Sequence, residues 1–255
     1  MKILPFAKVS LLLTCLTAFT FAGSIDDLLQ KAANARKAFR DLEAVSYYKQ
    51  ILLIDSNNLQ ALWNTSFVYQ RAGWLEQNRE VKKQLYTHAL EYANKTFARH
   101  PATYEANIVM AGGIARMSEF LSAKERVQAA WDIKKYAEVA LQLKPANHEV
   151  WYLLGWWNFE ISKATWLERS LASLFFGGLP GGTSFQKGIQ CMEKANELNP
   201  GSIVYMYDLA TFYERTGNSS AATHWVKEAL AIPPVAPEDF LYKGKCERLL
   251  SRLNS

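Results

Sequence analysis

Four histidines, three cysteines and 24 acidic residues are the groups in this 255-residue chain that could hold a metal or move a proton. Their spacing supports neither chemistry. His88, His100, His148 and His224 never fall four residues apart, and no His-Glu-x-x-His or Cys-x-x-Cys occurs, so no metal is expected. Gly177-Gly178-Leu179-Pro180-Gly181-Gly182 lacks the Gly-Lys-Ser/Thr ending of a phosphate loop, and it reads as a hinge. Ser184 has no Gly-x-Ser-x-Gly context. The acidic residues are dispersed as on solvated helices. No cofactor is expected, and the chain reads as a binding protein rather than an enzyme.

The aromatic residues are the more informative group. Eight tryptophans, 12 tyrosines and 13 phenylalanines stand against only 13 glycines and 8 prolines. Few breakers imply mostly helix, and many rings imply extensive packed or contact surfaces.

The elements that would position those rings form a masked repeat. Pro101, Pro145, Pro200 and Pro234 each close a helical stretch, and Ser56 takes the equivalent place earlier. Counting 6, 9, 10 and 13 residues onward from Pro145 gives Trp151, Leu154, Gly155 and Asn158; from Pro200, Met206, Leu209, Ala210 and Tyr213. Ser56 and Pro101 give Ser66 and Ala111 at the third place. This is the large–apolar–small–large pattern of a tetratricopeptide first helix, whose small residue admits a close crossing by the second. Gly188, Ala195, Ala222 and Ala229 suit that second helix. Against a 34-residue unit, three of the four repeats carry insertions, which hides the period. The first two insertions should lengthen helices over 75–99 and 118–143. The expected fold is therefore all-α: a tetratricopeptide-like solenoid of helical hairpins with insertions. A helix from Ser24 to Phe39 would close one end, and a capping helix from Pro237 to Leu253 the other.

In such a solenoid the second, fifth, ninth and twelfth places face the concave side. Those places present Trp63, Phe67, Ile108, Tyr152, Trp156, Phe159 and Tyr207, with Gly112 and Gly113 leaving room at the middle. This groove suits an apolar ligand or a protein partner. The longest insertion, 162–183, places Trp166, Leu167, Leu171, Leu174 and Phe175 on one helical stripe. That helix would either fold over the groove as a lid or add to the core.

Residues 1–22 read as a signal peptide: Lys2 and Lys8, an uncharged apolar run over 9–21, and Thr20-Phe21-Ala22 before Gly23. The run spans roughly 20 Å as a helix, less than a bilayer core. Export to a bacterial periplasm follows, with an uncleaved anchor as the alternative. The formal charge of +5 becomes +3 without the two leader lysines. That is too little for a nucleic-acid partner, although peripheral membrane association stays open. Cys191 and Cys246 fall in helical patterns and read as free thiols. The rest of the chain, residues 23–255, reads as one domain.

Trp151-Tyr152-Leu153-Leu154-Gly155-Trp156-Trp157 and Trp166-Leu167-Glu168-Arg169 resemble the regulator of microtubule dynamics family. Thr183-Ser184-Phe185, Leu198-Asn199-Pro200 and Pro237-Glu238-Asp239 extend the resemblance, which covers residues 100–250 best. It implies tetratricopeptide-like helices, association of the eukaryotic members with microtubules and membrane contacts, and, in one branch, phospholipid binding by the helical domain. The departure is the export signal: an exported bacterial-type member would meet no microtubules. An apolar ligand or partner is then the first expectation, with a cell-envelope assembly adaptor or microtubule association as alternatives.

Overall fold

A computed structural model describes residues 24–254; the signal-peptide reading of 1–22 lies outside the described residues. Within them the chain forms twelve α-helices and one short 3-10 turn, with no strand. They are α1 Ile25–Lys37, α2 Asp41–Ile54, α3 Leu59–Leu75, α4 Arg79–Arg99, α5 Tyr104–Met117, α6 Ala123–Leu143, α7 His148–Ser162, α8 Trp166–Phe176, α9 Phe185–Leu198, α10 Ile203–Arg215, α11 Ser219–Ala231 and α12 Pro237–Leu253. Pairs α1–α2, α3–α4, α5–α6, α7–α9 and α10–α11 pack as hairpins, each stacked on the next. Helix α8 is inserted between α7 and α9.

Local chemistry sets the boundaries. Ser24, Asn58, Asn78, Thr103, Ser122, Asn147, Thr165, Ser184, Ser202 and Asn218 each cap a helix, their side chains accepting first-turn backbone N–H groups. Helices α4, α6 and α9 end within two residues of Pro101, Pro145 and Pro200. The two long second helices, α4 and α6, have 21 residues each. They begin four and five residues later than expected, because Glu76–Asn78 and the Ser118–Phe120 turn interrupt the helix. Phe39 departs from the expected stripe on α1. It sits in the following turn at φ 57°, exposed, with the Arg71 guanidinium 5.3 Å from its ring centre.

The small repeat residues mark where helices cross. Gly155 on α7 and Gly188 on α9 face each other. A Cβ on Gly155 would stand 3.2 Å from the Gly188 carbonyl oxygen, and one on Gly188 would stand 3.1 Å from that of Gly155. Ser66 occupies the same place on α3, and its Oγ donates to the Ala89 carbonyl of α4 at 2.8 Å. Ala111 and Ala210 are fully buried at theirs. Gly188→Ala brings a favourable helix propensity of about 1 kcal/mol but pushes against backbone that cannot swing aside. We expect a net loss of about 1 kcal/mol in urea unfolding; greater stability would show that the crossing has slack.

Candidate functional site

The concave side forms an open cavity of about 1480 Å³. Phe67 and Trp74 of α3, Ile108 and Ala115 of α5, Tyr152 and Trp156 of α7, Tyr207 of α10 and Tyr242 of α12 supply much of its apolar wall. Of the eight residues expected along the groove, seven line this cavity: Phe67, Ile108, Gly112, Tyr152, Trp156, Phe159 and Tyr207. Trp63 does not. It meets Phe67 edge-on at 6.0 Å and donates from Nε1 to Gln60 at 3.1 Å.

Two of the seven are structural as much as exposed to the cavity. Phe159 is almost wholly buried and stacks on Phe212 at 3.8 Å. Gly112 does not leave room for a ligand, because the Gln70 amide fills the space. A Cβ at Gly112 would stand 2.5 Å from Gln70 Oε1, while Gln70 Nε2 donates to the Val109 carbonyl at 3.1 Å. Gly113 faces Leu90 and Ala93 of α4 instead.

The cavity also contains charge that the repeat pattern missed. Asp208 on α10 is 3% exposed, and its Oδ2 accepts from the Tyr152 hydroxyl at 2.7 Å and from Trp156 Nε1 at 3.1 Å. Burial raises its pKa to about 6, against the opposing pull of those two donors and of Lys245 and Arg116. The same burial holds the Tyr152 hydroxyl well above its ordinary range. Arg116 lies 5.4 Å from the Trp74 ring centre, and Lys245 Nζ 3.9 Å from that of Tyr242. Burial lowers the Lys245 pKa, with Asp208 opposing. A run such as Ile203–Asp208–Thr211, apolar but for one acid, was the available signal for Asp208.

One edge of the cavity is bridged from α3 to α12. Arg71 reaches Asp41 of α2 at 2.5 Å and Glu238 of α12 at 2.6 Å, all three side chains largely buried. Beside this clasp Trp74 and Tyr242 pack at 5.6 Å. Thus α12 caps the last hairpin with Tyr242, Cys246 and Leu249, and it also closes onto the third helix.

The apolar stripe of α8 is neither a lid over the cavity nor core. None of Trp166, Leu167, Leu171, Leu174 and Phe175 lines the cavity, and all but half-buried Leu171 are exposed. The helix packs on α6 through Ala172, with the Gly178 carbonyl accepting from Trp131 Nε1 at 3.2 Å. Gly177, Gly178 and Gly182 take positive φ in the turn that follows.

Among the described residues no cluster of three or more His, Cys, Asp or Glu could hold a metal, and no helix is long and apolar enough to cross a membrane. Cys191 is half-buried and Cys246 buried, and both are free thiols; burial raises the pKa of Cys246 to about 11. The cavity wall thus presents aromatic faces together with a buried carboxylate and two cations.

Comparison with known proteins adds the lineage. Regulator of microtubule dynamics protein 3 of Xenopus laevis is 29% identical over 188 residues, covering 73% of this chain and 40% of that protein. Protein 2 of Mus musculus is 26% identical over 235 residues, covering 90% and 56%. Protein 1 of Pongo abelii is 23% identical over 201 residues, covering 77% and 63%. The chain thus spans less than two thirds of the length of these relatives. Among solved structures, a tetratricopeptide protein of Thermus thermophilus superposes with a TM-score of 0.64 at 15% identity, covering 89% of this chain and 99% of that one. The type IV pilus biogenesis factor PilW gives 0.55 at 14%, covering 89% and 86%. At such identities the likeness shows the fold, an all-α tetratricopeptide-like solenoid. A family model described as "Regulator of microtubule dynamics protein 1-3" matches residues 23–254, and the chain belongs to that family.

Proposed function

We propose that this chain is a non-enzymatic binding scaffold whose concave cavity holds a lipid or an apolar segment of a partner protein. One observation carries the reading: a cavity of about 1480 Å³ lies behind an aromatic wall, and α12 bridges one of its edges. Drug-sized ligands occupy cavities of roughly 300–1,000 Å³, so the volume suits something longer. A tetratricopeptide-like fold, which stacks hairpins around a concave surface, suits a binding role as well. The export expected from residues 1–22 belongs to the same proposal.

Ala115 lines the cavity and is small. Ala115→Trp should fill part of the cavity and weaken uptake of a fluorescent phospholipid by about tenfold while leaving the far-ultraviolet circular dichroism unchanged. Unchanged uptake by a folded variant would place lipid binding elsewhere.

Family membership favours a second reading, association with microtubules, which the names of the relatives carry. It predicts co-sedimentation of the full chain with microtubules that weakens as salt rises. Recovery in the supernatant at low salt would reject it.

A further inference from the structure

We propose that α8 is a membrane-docking element, its apolar stripe seated in the headgroup boundary of an anionic bilayer at the rim of the cavity. The helix is well made: Thr165 and Glu168 form a capping box, and Gly177 ends the helix at φ 70°. Yet four of its six large apolar residues face largely outward. Trp166 is 80% exposed, Leu167 52%, Leu174 74% and Phe175 51%. The ties to α6 are largely polar: the Arg126–Glu168 ion pair at 2.8 Å and the Trp131–Gly178 hydrogen bond, with Ala172 buried and Leu171 and Phe176 half-buried. An insertion added as core would turn its leucines inward. A short helix that buries its alanine, half-buries Leu171 and Phe176, and shows water Trp166, Leu167, Leu174 and Phe175 has the arrangement of an interfacial helix.

Charge selects a lipid surface over an apolar protein partner. The one acid on α8, Glu168, is neutralised by Arg126 and engaged by its own N-cap. Glu125, beside Lys124, is engaged as the capping partner of Ser122. Lys124 and Arg169 flank the stripe without an ion pair among the described residues. Lys124 Nζ lies 4.2 Å from the Phe175 ring centre, so a cation sits directly on the stripe, where a lipid phosphate would meet it. The position is also continuous with the cavity, since Ala164, Glu168 and Leu179 line it from this side. The inference therefore deepens the proposed function by placing the source of an apolar cargo at the mouth of its site. The docking itself uses none of the aromatic wall.

The test is flotation of the full chain with phosphatidylcholine vesicles, with and without phosphatidylserine. The Trp166→Ser, Leu174→Asp double variant changes only exposed positions and should keep its melting temperature while losing about tenfold in apparent vesicle affinity. Lys124→Glu with Arg169→Glu should lose binding to phosphatidylserine vesicles alone, and the difference should shrink as salt rises. Equal flotation of wild type and the Trp166→Ser, Leu174→Asp variant would overturn the proposal, as would failure of the wild type to float. A change in oligomeric state on that double substitution, measured without lipid, would make the stripe a contact between copies and also overturn it. Ala115→Trp should float like the wild type, so failure of the cavity reading and failure of docking are separately visible.

Discussion

Arg71→Ala should lower the free energy of unfolding by about 3 kcal/mol and should loosen α12 before any other helix. The guanidinium is shared between Asp41 of α2 and Glu238 of α12, donating to Glu238 from Nε at 3.2 Å and Nη2 at 2.6 Å. Such a pair adds little over well-packed apolar residues, because taking three charges from water cancels most of their attraction. Removing the one cation is different. It leaves two largely buried carboxylates facing each other; burial already raises the Asp41 pKa, and the neighbouring charge of Glu238 adds to that rise. Amide exchange should quicken first over Pro237–Leu253, because the side chains of α3 then hold α12 through the contact between Trp74 and Tyr242. Arg71→Met combined with Asp41→Leu and Glu238→Met should recover most of the loss, since it removes the buried charges together. If Arg71→Ala unfolds like the wild type and α12 exchanges at the old rate, the bridge across the cavity is ornamental.

Asp208→Leu should cost about 3 kcal/mol at pH 5, because it strips the acceptor from two half-buried donors, the Tyr152 hydroxyl and Trp156 Nε1. Asp208→Asn keeps an acceptor and removes only the charge, so it isolates the titration. The sign follows from the direction of the shift. The folded pKa, about 6, stands above the ordinary carboxylate value. The protonated form is therefore favoured in the folded state. Its contribution is full below the unfolded pKa of about 4 and is lost as pH rises through the folded value. Between pH 5 and pH 7 the wild type should lose about 1 kcal/mol relative to Asp208→Asn. Urea unfolding of both proteins at the two pH values measures it. Parallel behaviour would mean that Asp208 is ionised throughout, its burial offset by Lys245 and Arg116.

The hairpins were legible because their signals are local. Gly155, Ser66, Ala111 and Ala210 mark crossings that only small residues permit, and Ser, Thr and Asn caps fix where helices start. Helical periodicity alone turns Phe67, Tyr152, Trp156 and Tyr207 toward the concave side. What stayed hidden depends on distance or direction. The Arg71–Glu238 contact joins residues 167 apart in sequence and exists only after the small rotations of successive hairpins have added up. The stripe on α8 showed that one side was apolar but not which way that side turns. The space at Gly112 was visible, but not the Gln70 amide that takes it.

Native mass spectrometry of the full chain purified from its expressing cells should show whether an apolar molecule occupies the cavity. A photo-crosslinking side chain at Phe67 extends the same experiment to a polypeptide ligand. The expected result is either an added mass in the lipid range, lost in Ala115→Trp, or a crosslinked partner segment, lost in the same variant. A bare mass before and after lipid addition, with no crosslink at Phe67, would contradict it.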